Sequence, residues 1–148
     1  MAMDEELLQR QPPHSLEAEQ SVLGSILIDS RCVADVIGIL RPEDFYLQQN
    51  REIYEAIYSM FNFSQTIDPV TVLDKMREVG VYHDNSRDYI LQLMEITPTA
   101  ANATRYAGIV RDKSMLRGLA QAATDISETV HSQLGTPQEM LESAEKKI

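Results

Sequence analysis

The sequence predicts an all-α protein, a compact bundle of short helices followed by a protruding antiparallel helical hairpin. Three observations carry this. Apolar residues recur at helical spacing, and β-branched residues never alternate with polar ones over a run, so no sheet is expected. Prolines, glycines and capping residues divide the first two thirds of the chain into short segments. One stretch, Asn102–Leu134, reads instead as a single helix of about 33 residues and hence roughly 50 Å, too long for a small domain to cover.

In chain order, residues 1–14 are expected to form a flexible N-terminus. Pro12-Pro13 bars a helix, and Ser15 can cap the first one. That helix runs over Leu16–Ile28, with Leu16, Gln20, Leu23 and Leu27 on one face and Val22 and Ile26 beside it. Glu17 and Glu19 lie in its first turn, where they complement the helix dipole and keep the surface soluble. Gly24 costs this helix about 1 kcal/mol relative to Ala, and a close helix–helix approach would explain it. After a break at Asp29-Ser30-Arg31, residues Cys32, Val33, Val36, Ile37 and Leu40 give a second helix. Cys32 reads as a small buried residue, not a nucleophile.

Arg41-Pro42-Glu43-Asp44 starts a fresh turn anchored by Phe45 and Tyr46. The third helix, from about Gln48 to Phe61, places Ile53, Tyr54, Ile57, Tyr58 and Phe61 on one face as core. Asp68 as N-cap and Pro69 at the first helical position open the fourth, which buries Val72, Leu73 and Met76 and stops at Gly80. Ser86 is expected to cap a short fifth helix holding Tyr89, Ile90, Leu93 and Met94, closed by Thr97-Pro98. The body is thus residues 15–97, and the hairpin residues 98–148.

In the long helix Ile109, Leu116, Ala123 and Val130 repeat every seven residues, and Leu119 and Ile126 stand three positions after Leu116 and Ala123. This is a narrow coiled-coil-type seam, and Ile109, Leu116, Leu119, Ala123 and Val130 are the residues expected to self-associate. Gly108 and Gly118 cost the helix about 2 kcal/mol together and mark a place for it to bend. Gly135 suits a left-handed helix end, and Thr136-Pro137-Gln138-Glu139 reads as a capping box opening a last helix with Met140, Leu141, Ala144 and Ile148 on its apolar face.

Composition narrows the function. Thirteen Lys and Arg against 23 Asp and Glu give a net charge of −10, and the cations are scattered. Such a chain repels phosphate backbones and is expected to meet protein partners. Arg105, Arg111, Lys113 and Arg117 on the long helix are either a solvated face or a charge pattern for an acidic partner. The six glycines form no phosphate-binding loop. Glu128-Thr129-Val130-His131 is a single Glu-x-x-His, where carboxylate-bridged metal bundles use two, so a metalloenzyme is the least favoured reading. No catalytic, cofactor or metal site is expected in these residues. The acidic start Met1–Glu6 has no apolar leader, no run of about 18 apolar residues exists, and there is one cysteine, so a cytoplasmic, non-membrane protein is expected.

Certain motifs say more than periodicity. Pro13-His14-Ser15-Leu16-Glu17-Ala18-Glu19-Gln20-Ser21-Val22-Leu23-Gly24 resembles the opening motif of the bacterial replicative DNA helicases of the DnaB family. Arg41-Pro42-Glu43-Asp44-Phe45-Tyr46 and Asp68-Pro69-Val70-Thr71-Val72 are similar to two further elements of it. So are Pro98-Thr99-Ala100-Ala101-Asn102, Tyr106–Arg111 and Leu116-Arg117. The resemblance covers only the family's N-terminal domain, over about residues 12–126; the linker and RecA-like ATPase domain, with their ATP and Mg²⁺, are not among these 148 residues. It implies a collar of six such domains, a trimer of dimers, in which hairpins pair and which receives the primase's C-terminal domain. DNA is met only through the whole ring. Tyr89, Ala120 and Ile126 are the positions that the resemblance assigns to primase, and a helicase loader is a further partner. A free-standing adaptor or loader-like regulator is the alternative. The ending Glu145-Lys146-Lys147-Ile148, inside a helical pattern, reads as a truncation.

Overall fold

The computed structural model describes residues 11–148, so residues 1–10 of the expected flexible N-terminus lie outside the described residues. Seven α-helices and two 3₁₀ turns form among the described residues, with no strand. The helices are α1 Leu16–Ile28, α2 Val33–Ile37, α3 Gln48–Asn62, α4 Pro69–Glu78, α5 Ser86–Glu95, α6 Ala103–Ser132 and α7 Pro137–Lys147; the turns are Ser30–Cys32 and Pro42–Asp44. The described residues group into two compact units, His14–Lys113 and a second one of Ser114–Ile148 with residues 11–13. The division falls inside α6, a single continuous helix.

In the first unit, Ser15 caps α1 by accepting the Ala18 N–H at 3.2 Å. Asp68 accepts the Thr71 N–H at 2.8 Å while the Thr71 hydroxyl accepts the Asp68 N–H at 2.9 Å, a complete capping box ahead of Pro69. Gly80 closes the far side of α4 at φ +80°. The core gathers Val22, Leu23 and Ile26 of α1, Ile53, Tyr54 and Ile57 of α3, Val72 and Met76 of α4, and Ile90 and Leu93 of α5. Phe45 packs at a tilt on Tyr54, 4.7 Å between ring centroids. The Tyr54 hydroxyl donates to the Leu40 carbonyl at 2.9 Å, and burial pushes its phenol well up. Ala103, Ala107 and Val110 carry the start of α6 into the same core. Gly24 is where α1 meets α5: a Cβ there would collide with the Leu93 carbonyl and the Thr97 side chain.

Several expectations need correction. The second helix is shorter than its apolar pattern: Asp29 accepts the Arg31 N–H and guanidinium, holding a 3₁₀ turn over Ser30–Cys32 before α2. Cys32 is half-buried, with its thiol donating to the Asp29 carbonyl at 3.2 Å, and burial pushes that thiol up, away from a nucleophilic thiolate. Ser86 does not cap α5: it is the first helical residue, and its hydroxyl accepts the His83 N–H at 2.8 Å. The long helix stops at Ser132, and Gln133 takes a left-handed conformation ahead of Gly135, with φ +54° and +107° respectively. Thr136 caps α7 as expected, but the Glu139 carboxylate accepts from the Thr136 hydroxyl, so the capping box is only half formed.

In the second unit Ala122, Asp125, Ile126 and Thr129 of α6 are half-buried at helical spacing, as are Met140, Ser143 and Ala144 of α7. Lys147 Nζ returns to Thr129 Oγ1 at 3.2 Å. The helix stays unbroken through both glycines. A Cβ on Gly118 would meet nothing within 4 Å. Gly118→Ala is therefore expected to stabilise this unit by about 1 kcal/mol, seen as a higher thermal midpoint by circular dichroism. An unchanged or lower midpoint would contradict this.

Candidate functional site

The face of α6 that packs in the first unit is Ala103, Ala107 and Val110, and the heptad seam is a different one. Within the second unit Leu116 is 47% exposed, Leu119 55% and Val130 50%; Ala120 and Ala123 are exposed with them. These form an apolar face on one helix that stays exposed among the described residues. Ile109, in the first unit, is 38% exposed. Ile126 differs from the rest, because it belongs to the half-buried stripe of α6. Of the two seam positions offset by three, then, only Leu119 is presented openly.

The cations of α6 also divide. Arg111 Nη1 lies 3.2 Å from Asp44, a buried carboxylate that also accepts the Arg41 N–H at 2.8 Å. Arg117 donates to the Pro13 carbonyl at 2.8 Å. Both hold groups of the chain itself, a carboxylate and a backbone carbonyl, and Arg111 does so while staying about half exposed. Arg105 is exposed. Glu128 and His131 are exposed; His131 Nδ1 lies 2.7 Å from the Ser127 carbonyl, and among the described residues no three His, Cys, Asp or Glu side chains converge.

Tyr89 sits in an arrangement that sequence reasoning missed. Glu19, expected at the surface, is 1% exposed. Its carboxylate accepts the Tyr46 N–H at 2.8 Å, the Leu47 N–H at 3.3 Å and the Asn50 side-chain amide at 3.1 Å. Leu47 is the N-cap of α3 and makes no side-chain cap, so Glu19 supplies from α1 the acceptor and negative charge that this helix start lacks. The Tyr89 hydroxyl donates to Asn50 Oδ1 and accepts from Gln20 Nε2 at 3.3 Å. Burial pushes the Tyr89 phenol up, so it stays protonated and able to donate. His14, just ahead of α1, stacks on Tyr46, 4.3 Å between centroids. A signal for Glu19 was present: it stands three and four residues before Val22 and Leu23, on the buried face of α1.

No helix among the described residues is long and apolar enough to cross a membrane. Residues 11–112 match the family described as the DnaB-like helicase N terminal domain. The chain is 36% identical over 141 residues to the replicative DNA helicase DnaB of Leifsonia xyli, 41% over 118 residues to that of Mycobacterium leprae, and 34% over 152 residues to that of Geobacillus stearothermophilus. These alignments cover 95%, 79% and 99% of this chain but only 31%, 20% and 32% of those relatives. The crystal structure of the N-terminal domain of DnaB helicase from Mycobacterium tuberculosis superposes with a TM-score of 0.88 at 35% identity, over 93% of this chain and 98% of that one. The sequence motifs, an all-helical fold and these likenesses agree: the chain belongs to the DnaB-like helicase N-terminal domain family.

Proposed function

We propose that this chain is the N-terminal collar domain of a replicative DNA helicase, which assembles the hexamer as a trimer of dimers and docks the C-terminal domain of primase. The observation that carries the reading is the open apolar face Leu116–Leu119–Ala123–Val130. Such exposure is unfavourable unless a partner covers it, and a second copy supplies a face of the same kind and spacing. Ile109 continues the heptad on the same helix. Unwinding, with its ATP and Mg²⁺, then belongs to a motor domain outside these residues, and this part takes no catalytic role. A helicase loader is a further partner on the same grounds of family.

Primase docking is assigned to Tyr89, Ala120 and Ile126. Ala120 is exposed and its side chain is small, so a charge placed there blocks an apolar partner without displacing any packed group. Ala120→Asp is expected to weaken binding of the primase C-terminal domain about tenfold by titration calorimetry, while the second unit loses only the propensity difference of about 0.7 kcal/mol and keeps its helix content. Unchanged affinity would remove this face from the docking site.

A further inference from the structure

We infer that Glu19, Asn50 and Gln20 form a built-in positioning device for Tyr89, locking its ring in the orientation that the docking partner meets. This rests on the reading of Tyr89 as a primase contact. The device is anchored on the backbone and works outward. The Tyr46 and Leu47 N–H groups fix the Glu19 carboxylate. A carboxylate only accepts, so the Asn50 amide must turn its Nδ2 toward Glu19, at 3.1 Å, and its Oδ1 away. That oxygen accepts the Tyr89 hydroxyl proton. Gln20, one residue on from Glu19, donates to the same phenol oxygen from the other side. The hydroxyl is thereby used as both donor and acceptor inside the domain, so it is the half-buried ring that remains to be offered outward. Three helices, α1, α3 and α5, meet at this one phenol.

A tyrosine held this way loses little rotamer freedom when a partner closes on it, which is affinity gained by preorganisation. Asn50 and Gln20 touch no partner in this scheme; they act through Tyr89.

The test is a double-mutant cycle on the 148-residue chain, titrated with the C-terminal domain of the primase from the same genome. Tyr89→Phe keeps the ring and removes the hydroxyl, and is expected to weaken binding about fivefold, roughly the cost of immobilising one side chain that is no longer held beforehand. Asn50→Leu should weaken it by a similar factor. In the Tyr89→Phe background Asn50→Leu should add nothing, because the link it breaks is already gone. Equal losses in both backgrounds would mean a merely structural role, and no loss in either would overturn the inference as well. Gln20 is half-buried, so Gln20→Ala repeats the cycle where Asn50→Leu fails to fold, with the same non-additivity expected. Tyr89→Ala separates the two levels. If it leaves binding unchanged, the docking reading of Tyr89 falls; if it weakens binding while the cycles are additive, only the positioning role falls.

Discussion

Glu19→Ala is expected to destabilise the first unit by about 3–4 kcal/mol, by denaturant titration. The change removes one carboxylate and strands the groups that point at it: two backbone N–H groups, of Tyr46 and Leu47, and the Asn50 amide. Each buried donor left without an acceptor costs about 1–3 kcal/mol, partly recovered by relaxation and entering water. Glu19→Gln keeps the volume but offers a donor to other donors, so it should lose about 2 kcal/mol. Glu17, two residues away and exposed, is the control: Glu17→Ala should stay within about 0.5 kcal/mol. Equal effects at the two glutamates would contradict the buried network.

The second large effect is of opposite sign to ordinary helix propensity. Gly→Ala inside a helix normally gains about 1 kcal/mol. Gly24→Ala should instead lose about 3 kcal/mol, because the added methyl enters space already filled. The obstacle is stiff. It includes the backbone carbonyl of Leu93, and the Thr97 hydroxyl is bound to that carbonyl at 2.8 Å and buried. α1 and α5 would have to separate, and Val22, Leu23, Ile90 and Leu93 with them. Gly118→Ala, in the same fold and the same kind of element, should move the other way. Matching signs at the two glycines would refute the packing argument.

These glycines show what a sequence discloses and what it withholds. The mid-helix Gly24 announced a close approach, and the approach is there, but nothing local named Leu93 and Thr97, far along the chain, as the neighbours. Helix α1 matched its periodicity and cap residue for residue because Ser15 and the apolar spacing are local signals. The second helix fell short because the Asp29–Arg31 contact stabilises a 3₁₀ turn that apolar spacing does not register. Glu19 was misplaced because a charged residue in a first turn has a good local explanation, and its tertiary one depends on Tyr46, Leu47 and Asn50. Arg111 and Arg117 read as a solvated face or a pattern for an acidic partner for the same reason: Asp44 and the Pro13 carbonyl are distant in sequence. The seam of α6 was legible as a heptad, but which of its members lie open had to come from the structure: Leu119 does, and Ile126 is half covered.

The central claim is that this open face of α6 is a self-association surface. Sedimentation velocity of the chain over a range of concentrations tests it most directly, beside Leu119→Asp. Concentration-dependent association is expected of the wild-type chain, and a monomer with unchanged helix content of Leu119→Asp. A wild-type chain that stays monomeric at every concentration, or association that Leu119→Asp leaves intact, would contradict the claim.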